Sequence, residues 1–312
     1  MKVLVVGGAG YVGGAVTDLL QQSNHDTRVY DALLYEESYR KPTDFVYGDV
    51  RIIEQLQPQL DWADIVIWLA ALVGDPACAL NPDLSMQINQ ESVRLLARYF
   101  KGRIVFLSTC SVYGARDGVL DESSPTNPLS VYAVTKLAAE SYLTNSNAII
   151  FRLGTLFGIG DLFSRIRFDL VVNTMVVRAH RDGKILVYGG DQFRPLLHVR
   201  DAAQAIVDNL TTEHLGVFNL HKENVSITEL AEKMRQHFPH LMIEQVERKF
   251  EDTRNYRVNS DKAKSLLNFM PKLSVDDGIE EIKSLLESGR LKDVDNPLYT
   301  NQKFLSLRNL NY

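Results

Sequence analysis

Short, uninterrupted apolar runs alternate with segments of helical period through the first half of the chain. The runs fall at 3–6, 27–30, 45–47, 65–69, 104–107 and 148–151, and the helical patterns at 13–22, 89–100 and 128–144. A run without a polar alternate face predicts a strand buried on both sides, and helices between such runs predict parallel pairing. Right-handed crossovers then give an α/β fold with a doubly wound parallel sheet of Rossmann type.

Beyond about residue 160 the texture changes. The pattern predicts a helix over 169–182, a strand at 185–188, αβ texture through 200–219, and helices near 228–237 and 276–288. We expect a smaller, partly interleaved α/β lobe. On this reading residues 1–165, with about 195–222, form a dinucleotide-binding domain, and about 166–194 with 223–290 form a substrate lobe. The stretch 291–312 has no clear period and stays unassigned.

A length of 312 residues exceeds what one core usually serves, which favours this two-part division. The net charge of −5, with no long basic run, gives no reason to expect a nucleic-acid partner. Cys78 and Cys110 are the only cysteines and show neither CxxC nor a neighbouring His at ligand spacing, so we expect buried thiols and no metal. The apolar start is too short and glycine-rich for a membrane span and lacks a charged leader and cleavage pattern. We therefore expect a cytoplasmic location, without export or membrane insertion.

The first strand runs into Gly7-Gly8-Ala9-Gly10-Tyr11-Val12-Gly13. Missing Cβ atoms there permit a tight turn and close approach of the backbone to a pyrophosphate, which the following helix N-terminus attracts. Asp31 ends the second strand 18 residues after Gly13, where an acid accepts hydrogen bonds from a ribose and repels a 2′-phosphate. NAD is the cofactor this favours.

Tyr132 and Lys136 share one face of a helical segment at i,i+4 spacing. A free tyrosine, with a pKa of about 10, is a poor base. A nearby ammonium and the positive nicotinamide ring would both stabilise its phenolate. Alone, YxxxK also fits an exposed helix pair. Thr109, at the carboxyl end of a strand, can hydrogen-bond the oxygen that Tyr132 deprotonates, or simply cap the strand end.

Further segments extend the pattern: Gly48-Asp49-Val50-Arg51, Leu69-Ala70-Ala71, Ser108-Thr109-Cys110-Ser111-Val112-Tyr113-Gly114, Pro128 through Lys136, and Arg194 through Val199. With the glycine loop, these resemble the extended short-chain dehydrogenase/reductase superfamily, in particular its NAD-dependent nucleotide-sugar epimerases and dehydratases, over roughly residues 1–290. The resemblance implies that Asp49 and Val50 meet the adenine and that Leu69, Ala70 and Ala71 line the cofactor. It makes Thr109, Tyr132 and Lys136 the catalytic core. A nucleotide-diphosphate sugar would be held by Asn173, Tyr188, Arg194 and Arg254, although each arginine also fits a surface salt bridge. It further implies a homodimer paired through the helices near 89–100 and 128–144.

Three departures narrow that reading. The dehydratases follow their threonine with an Asp-Glu acid and base, whereas Cys110 and Ser111 stand here, which disfavours 4,6-dehydration. Pro195 replaces the usual aspartate after Arg194, and the loop 72–78 differs from that of UDP-galactose 4-epimerases. His198 we expect to pack against a turn. The leading expectation is a nucleotide-sugar epimerase acting through transient oxidation at sugar carbon 4. A net nucleotide-sugar dehydrogenase or reductase uses the same three residues. A catalytically silent dinucleotide sensor would need neither Tyr132 nor Lys136.

Overall fold

The computed structural model describes residues 1–246 and 255–308. Its strands, in chain order, are β1 (Lys2–Val6), β2 (Asp26–Asp31), β3 (Asp44–Tyr47), β4 (Ile65–Trp68), β5 (Arg103–Thr109), β6 (Ala115–Leu120) and β7 (Ala148–Leu153). They continue as β8 (Thr155–Phe157), β9 (Lys184–Tyr188), β10 (Phe193–His198), β11 (Gly216–Leu220), β12 (Glu223–Ser226), β13 (Met242–Val246) and β14 (Asn255–Val258). One sheet has the order β11-β7-β5-β4-β1-β2-β3. Every pairing in it is parallel. The winding reverses between β1 and β4, and in open α/β sheets such a reversal leaves a crevice at the carboxyl ends of the strands. All six strands expected in the first half belong to this sheet, and β11 joins it from the mixed region.

β1 illustrates why the runs are apolar throughout. Val3 and Val5 pack with Val16 and Leu20 of the helix Tyr11–Gln21 and with Ala202 and Ile206 of Val199–Asp208. Leu4 and Val6 turn to the other face, toward Leu56, Leu96 and Leu143. Successive side chains alternate faces, and both faces are covered.

A second core joins the helices Val171–Asp182, Ile227–His237 and Val275–Glu287 to β8, β9, β10 and β12 through Phe157, Val176, Ile185, Leu230 and Ile279. Capping boxes at Ser226/Glu229 and Ser274/Asp277 satisfy the first N–H groups of two of those helices. Pro195 lies in β10, whose pairing with β8 begins only at Leu196, one residue beyond the proline. No helix among the described residues is long and apolar enough to cross a membrane.

Several helices lie outside the sequence reading, among them the short Asp75–Leu80, Pro82–Met86 and Asp261–Leu267. Ile53–Trp62 contains Pro58 and buries only Leu56 and Leu60, so its period is too short to register. The unassigned stretch folds into a short 3₁₀ turn, Pro297–Tyr299, and a helix, Asn301–Leu307. Leu305 of that helix packs against Leu72, Cys78 and Leu84, and Phe304 against Tyr35.

Candidate active site

A cleft of about 1210 Å³ follows the carboxyl ends of β1, β2, β4, β5 and β7 and is closed on its far side by the second lobe and the last helix. That exceeds the about 300–1,000 Å³ of a site for one small ligand. Every expected cofactor residue lines it, together with Thr109, Tyr132, Lys136, Tyr188 and Arg194.

The floor is the turn from β1 into the helix Tyr11–Gln21. Gly7 has φ +84°, and a Cβ there would lie 2.5 Å from the Ala70 nitrogen; one on Gly13 would lie 2.6 Å from the Gly7 carbonyl oxygen. Around Gly10 the nearest atom to such a Cβ is 3.5 Å away, which leaves that side of the turn open to a ligand. The helix has no capping side chain and no acidic residue in its first turn, so its N-terminal charge faces the cleft uncompensated by side chains. These features fit a dinucleotide pyrophosphate.

Beside the floor, Asp31 accepts hydrogen bonds from the Leu33 N–H at 2.8 Å and the Ala9 N–H at 3.0 Å. Burial pushes its carboxyl up, and those two N–H groups oppose the shift. Asp49 is gripped by Arg51, whose Nε lies 3.0 Å from both carboxylate oxygens. Burial would raise Asp49, but Arg51 holds it below its ordinary value.

Tyr132 and Lys136 project from the helix Val131–Tyr142, which Ser130 caps by accepting the Ala133 N–H while donating to Asp75 at 2.6 Å. Lys136 is buried and donates to the Leu107 carbonyl at 2.8 Å. Burial pushes its ammonium down to about 8. Burial also pushes the Tyr132 phenol up, Cys78 adds to this, and the cation that opposes the rise is Arg167. The sequence reading assigned that role to Lys136, which instead spends a bond on the end of β5. Thr109 Oγ1 accepts the Ser111 N–H at 3.1 Å, so it caps the turn after β5 and also faces the cleft. Its hydroxyl proton remains available to a substrate oxygen.

The remaining expected residues differ in placement. Asn173 does not line the cleft: it is fully buried, donates to the Gly158 and Arg167 carbonyls at 3.2 and 2.7 Å, and accepts the Gly158 N–H at 3.0 Å. Its expected place among the substrate contacts is therefore corrected, because the amide is committed to backbone. Arg254 lies outside the described residues. Arg194 is buried at the cleft wall and donates to the Phe193 carbonyl at 2.9 Å. His198 bonds the Arg200 N–H and Glu281, packing at a turn. Cys110 directs its thiol to the Arg152 carbonyl at 3.2 Å.

Sequence reasoning missed four residues at or near this site. Asn89 lies in a π-helical turn, Gln87–Glu91, where its amide holds Leu72 through both backbone groups and donates to Thr135 of the Tyr132 helix at 3.3 Å. Arg165, Arg167 and Asn301 line the far wall. The charged pattern Arg165-Ile166-Arg167-Phe168-Asp169 ahead of a helix was the available signal for two of them.

A glycine turn on a doubly wound sheet, an acid ending β2, and a tyrosine and lysine on one helix beside a strand-end threonine define a Rossmann dinucleotide enzyme. The chain belongs to the NAD dependent epimerase/dehydratase family, whose model matches residues 3–220. It is 28% identical over 301 residues to a UDP-glucose 4-epimerase of Corynebacterium glutamicum, spanning 87% of this chain and 91% of that protein. The fold superposes on the structure of a UDP-glucose 4-epimerase from Thermotoga maritima with UDP-glucose at a TM-score of 0.80, with 20% identity and coverage of 92% and 99%. It also superposes on TunA, an NAD dependent NDP-hexosamine 5,6-dehydratase, at 0.81, with 22% identity and coverage of 94% and 99%. The cofactor is NAD.

Proposed function

We propose that the protein is an NAD-dependent nucleotide-sugar epimerase that acts through transient oxidation at sugar carbon 4. The observation that carries this is the convergence of Thr109, Tyr132 and Lys136 on one wall of a cleft whose floor suits a dinucleotide. The Corynebacterium relative, named a UDP-glucose 4-epimerase, supports the same chemistry.

Tyr132 takes the proton of the sugar hydroxyl as it is oxidised and returns it when the alcohol reforms. Thr109 donates to the same oxygen and fixes its position. Lys136, whose ammonium is pushed down to about 8 by burial, supplies a proton reservoir one helical turn from Tyr132, while Arg167 is the cation that favours the phenolate. NAD, held by the glycine turn and Asp31, would supply the reversible hydride acceptor for carbon 4. Tyr188 and Arg194 serve the sugar-nucleotide side of the cleft, the arginine as a partner for phosphate oxygens. Cys110 turns its thiol to the Arg152 carbonyl and Ser111 presents a neutral hydroxyl to the cleft, which supports oxidation and return of hydride over elimination of water.

The test is interconversion of UDP-, GDP-, CDP- and dTDP-sugars by the purified protein, without added cofactor, followed by NMR. Tyr132→Phe should lower turnover by about 10²–10⁴-fold while leaving NAD bound. Full turnover in that variant overturns the assignment, and a stoichiometric demand for external NAD replaces it with a net dehydrogenase.

A further inference from the structure

The wall opposite the glycine loop carries two buried guanidiniums that the proposed reaction does not use. Arg165 and Arg167 are 9% and 8% exposed, and both line the cleft. Arg165 lies over the Tyr35 ring, 3.9 Å from its centroid, and its backbone N–H donates to Glu36 at 2.7 Å. Tyr35 and Glu36 closely follow Asp31 at the end of β2. Arg167 is 5.9 Å from the ring of Tyr11, the first residue of the cofactor helix, and is within electrostatic reach of Tyr132. The pair thus runs from the ribose-binding acid toward the reacting tyrosine, above the uncapped helix. That is the span a diphosphate between two nucleosides must cross.

Burying two like charges together is unfavourable, and burial with Arg167 beside it pushes Arg165 down to about 10. Asp169 balances Arg167 through a 2.9 Å ion pair. Arg165 donates to the neutral acceptors Leu298 and Asn301 of the last segment, the first at 2.8 Å, and the Glu36 and Asp169 carboxylates within electrostatic reach offset only part of its charge burial. An anion between the two would relieve the repulsion, and a guanidinium fork matches phosphate oxygens.

We infer that Arg165 and Arg167 form the upper half of the dinucleotide pyrophosphate site, closing on the diphosphate from the second lobe while the glycine loop holds it from below. This rests on NAD as the cofactor and not on which sugar chemistry follows. A nucleotide-sugar diphosphate carries the same anion into the same cleft, so the test separates the two sources.

Cofactor-stripped wild type, Arg165→Gln and Arg167→Gln are titrated with NAD, ADP-ribose and adenosine. The NAD-saturated proteins are titrated with UDP-glucose, and all are melted. Each variant should bind NAD and ADP-ribose about 10- to 100-fold more weakly, with adenosine and UDP-glucose affinities unchanged. Arg167→Lys, which keeps the charge without the fork, should fall between wild type and Arg167→Gln, and it carries the test if the glutamine variant does not fold. Unchanged NAD affinity overturns the inference. So does an equal loss for adenosine, which marks a structural role, or a loss confined to UDP-glucose, which assigns the pair to the substrate. A protein that binds NAD through these arginines yet turns over no sugar leaves this inference standing and removes the proposed reaction.

Discussion

The two walls of the cleft are built on different physical terms. On the sheet wall, Asp31, Ala70, Thr109 and Gly154 sit at or just beyond the ends of parallel strands whose backbone ladders fix their positions. Behind them Ser108 donates to Glu140, and Glu140 pairs with Arg152 at 2.7 and 3.0 Å, tying β5 and β7 to the helix that carries Tyr132 and Lys136. On the far wall, Arg165, Arg167 and Asp169 lie in a loop; Arg165 and Asp169 are held by bonds to the segment 298–301, and Arg167 by its ion pair with Asp169. The difference is one of mechanical support: groups on the sheet wall are set by a stiff scaffold, and groups on the far wall hang on side-chain contacts that can yield.

The strongest way to break that contrast is to remove the tie behind the sheet wall. Glu140→Gln leaves the Arg152 guanidinium buried without its charge partner, and the expected loss is about 3–5 kcal/mol of stability by chemical denaturation. A loss under about 1 kcal/mol would mean that the ladders alone hold this wall.

A smaller effect of opposite sign is expected at Lys136. Its folded pKa of about 8 lies below the unfolded value of 10.5, so between these pH values the unfolded chain binds more protons and wild-type stability rises with pH. Lys136→Met should therefore be more stable than wild type by about 2–3 kcal/mol at pH 7, with the gap closing as pH rises through 8 toward 10.5. Melting curves at pH 7, 9 and 10.5 check it. A pH-independent difference would show that the lysine is not strained by burial, and the sheet wall would then carry no stability cost for its chemistry.

The same contrast explains what the sequence reveals. β1, β4 and β5 are legible because both faces are covered, and so are the glycine turn and the placing of Tyr132 and Lys136 on one helix, which spacing alone decides; that the cation acting on Tyr132 is Arg167 is not, because it lies 35 residues further on. β6 is not, because five of its six residues are exposed and Gly118 within it has φ +89°. The helix Asn301–Leu307 buries only Asn301 and Leu305, too few positions to show a period. Arg165 gains its role from partners 133 and 136 residues away, and Asn173 loses its expected one to the carbonyls of Gly158 and Arg167. Local patterns report groups fixed by their own element, and the far wall has few of those.

The far wall can be probed at its hinge to the last helix. Asn301 is 2% exposed, donates to the Val73 carbonyl at 2.6 Å, accepts from Arg165 and offers its N–H to Asp169 at 2.9 Å. Asn301→Ala leaves Val73 and Arg165 each one partner short, which should cost about 1–2 kcal/mol and speed release of NAD with little change in turnover at saturating cofactor. Asp295, in the same segment, meets Arg181 in an exposed ion pair. Asp295→Asn should change stability by less than about 0.5 kcal/mol, and less still in high salt, because water and ions screen that pair. If Asp295→Asn instead matches Asn301→Ala in NAD release, the last segment is held over the cleft by surface charge rather than by burial. The far wall would then open with ionic strength while the sheet wall would not.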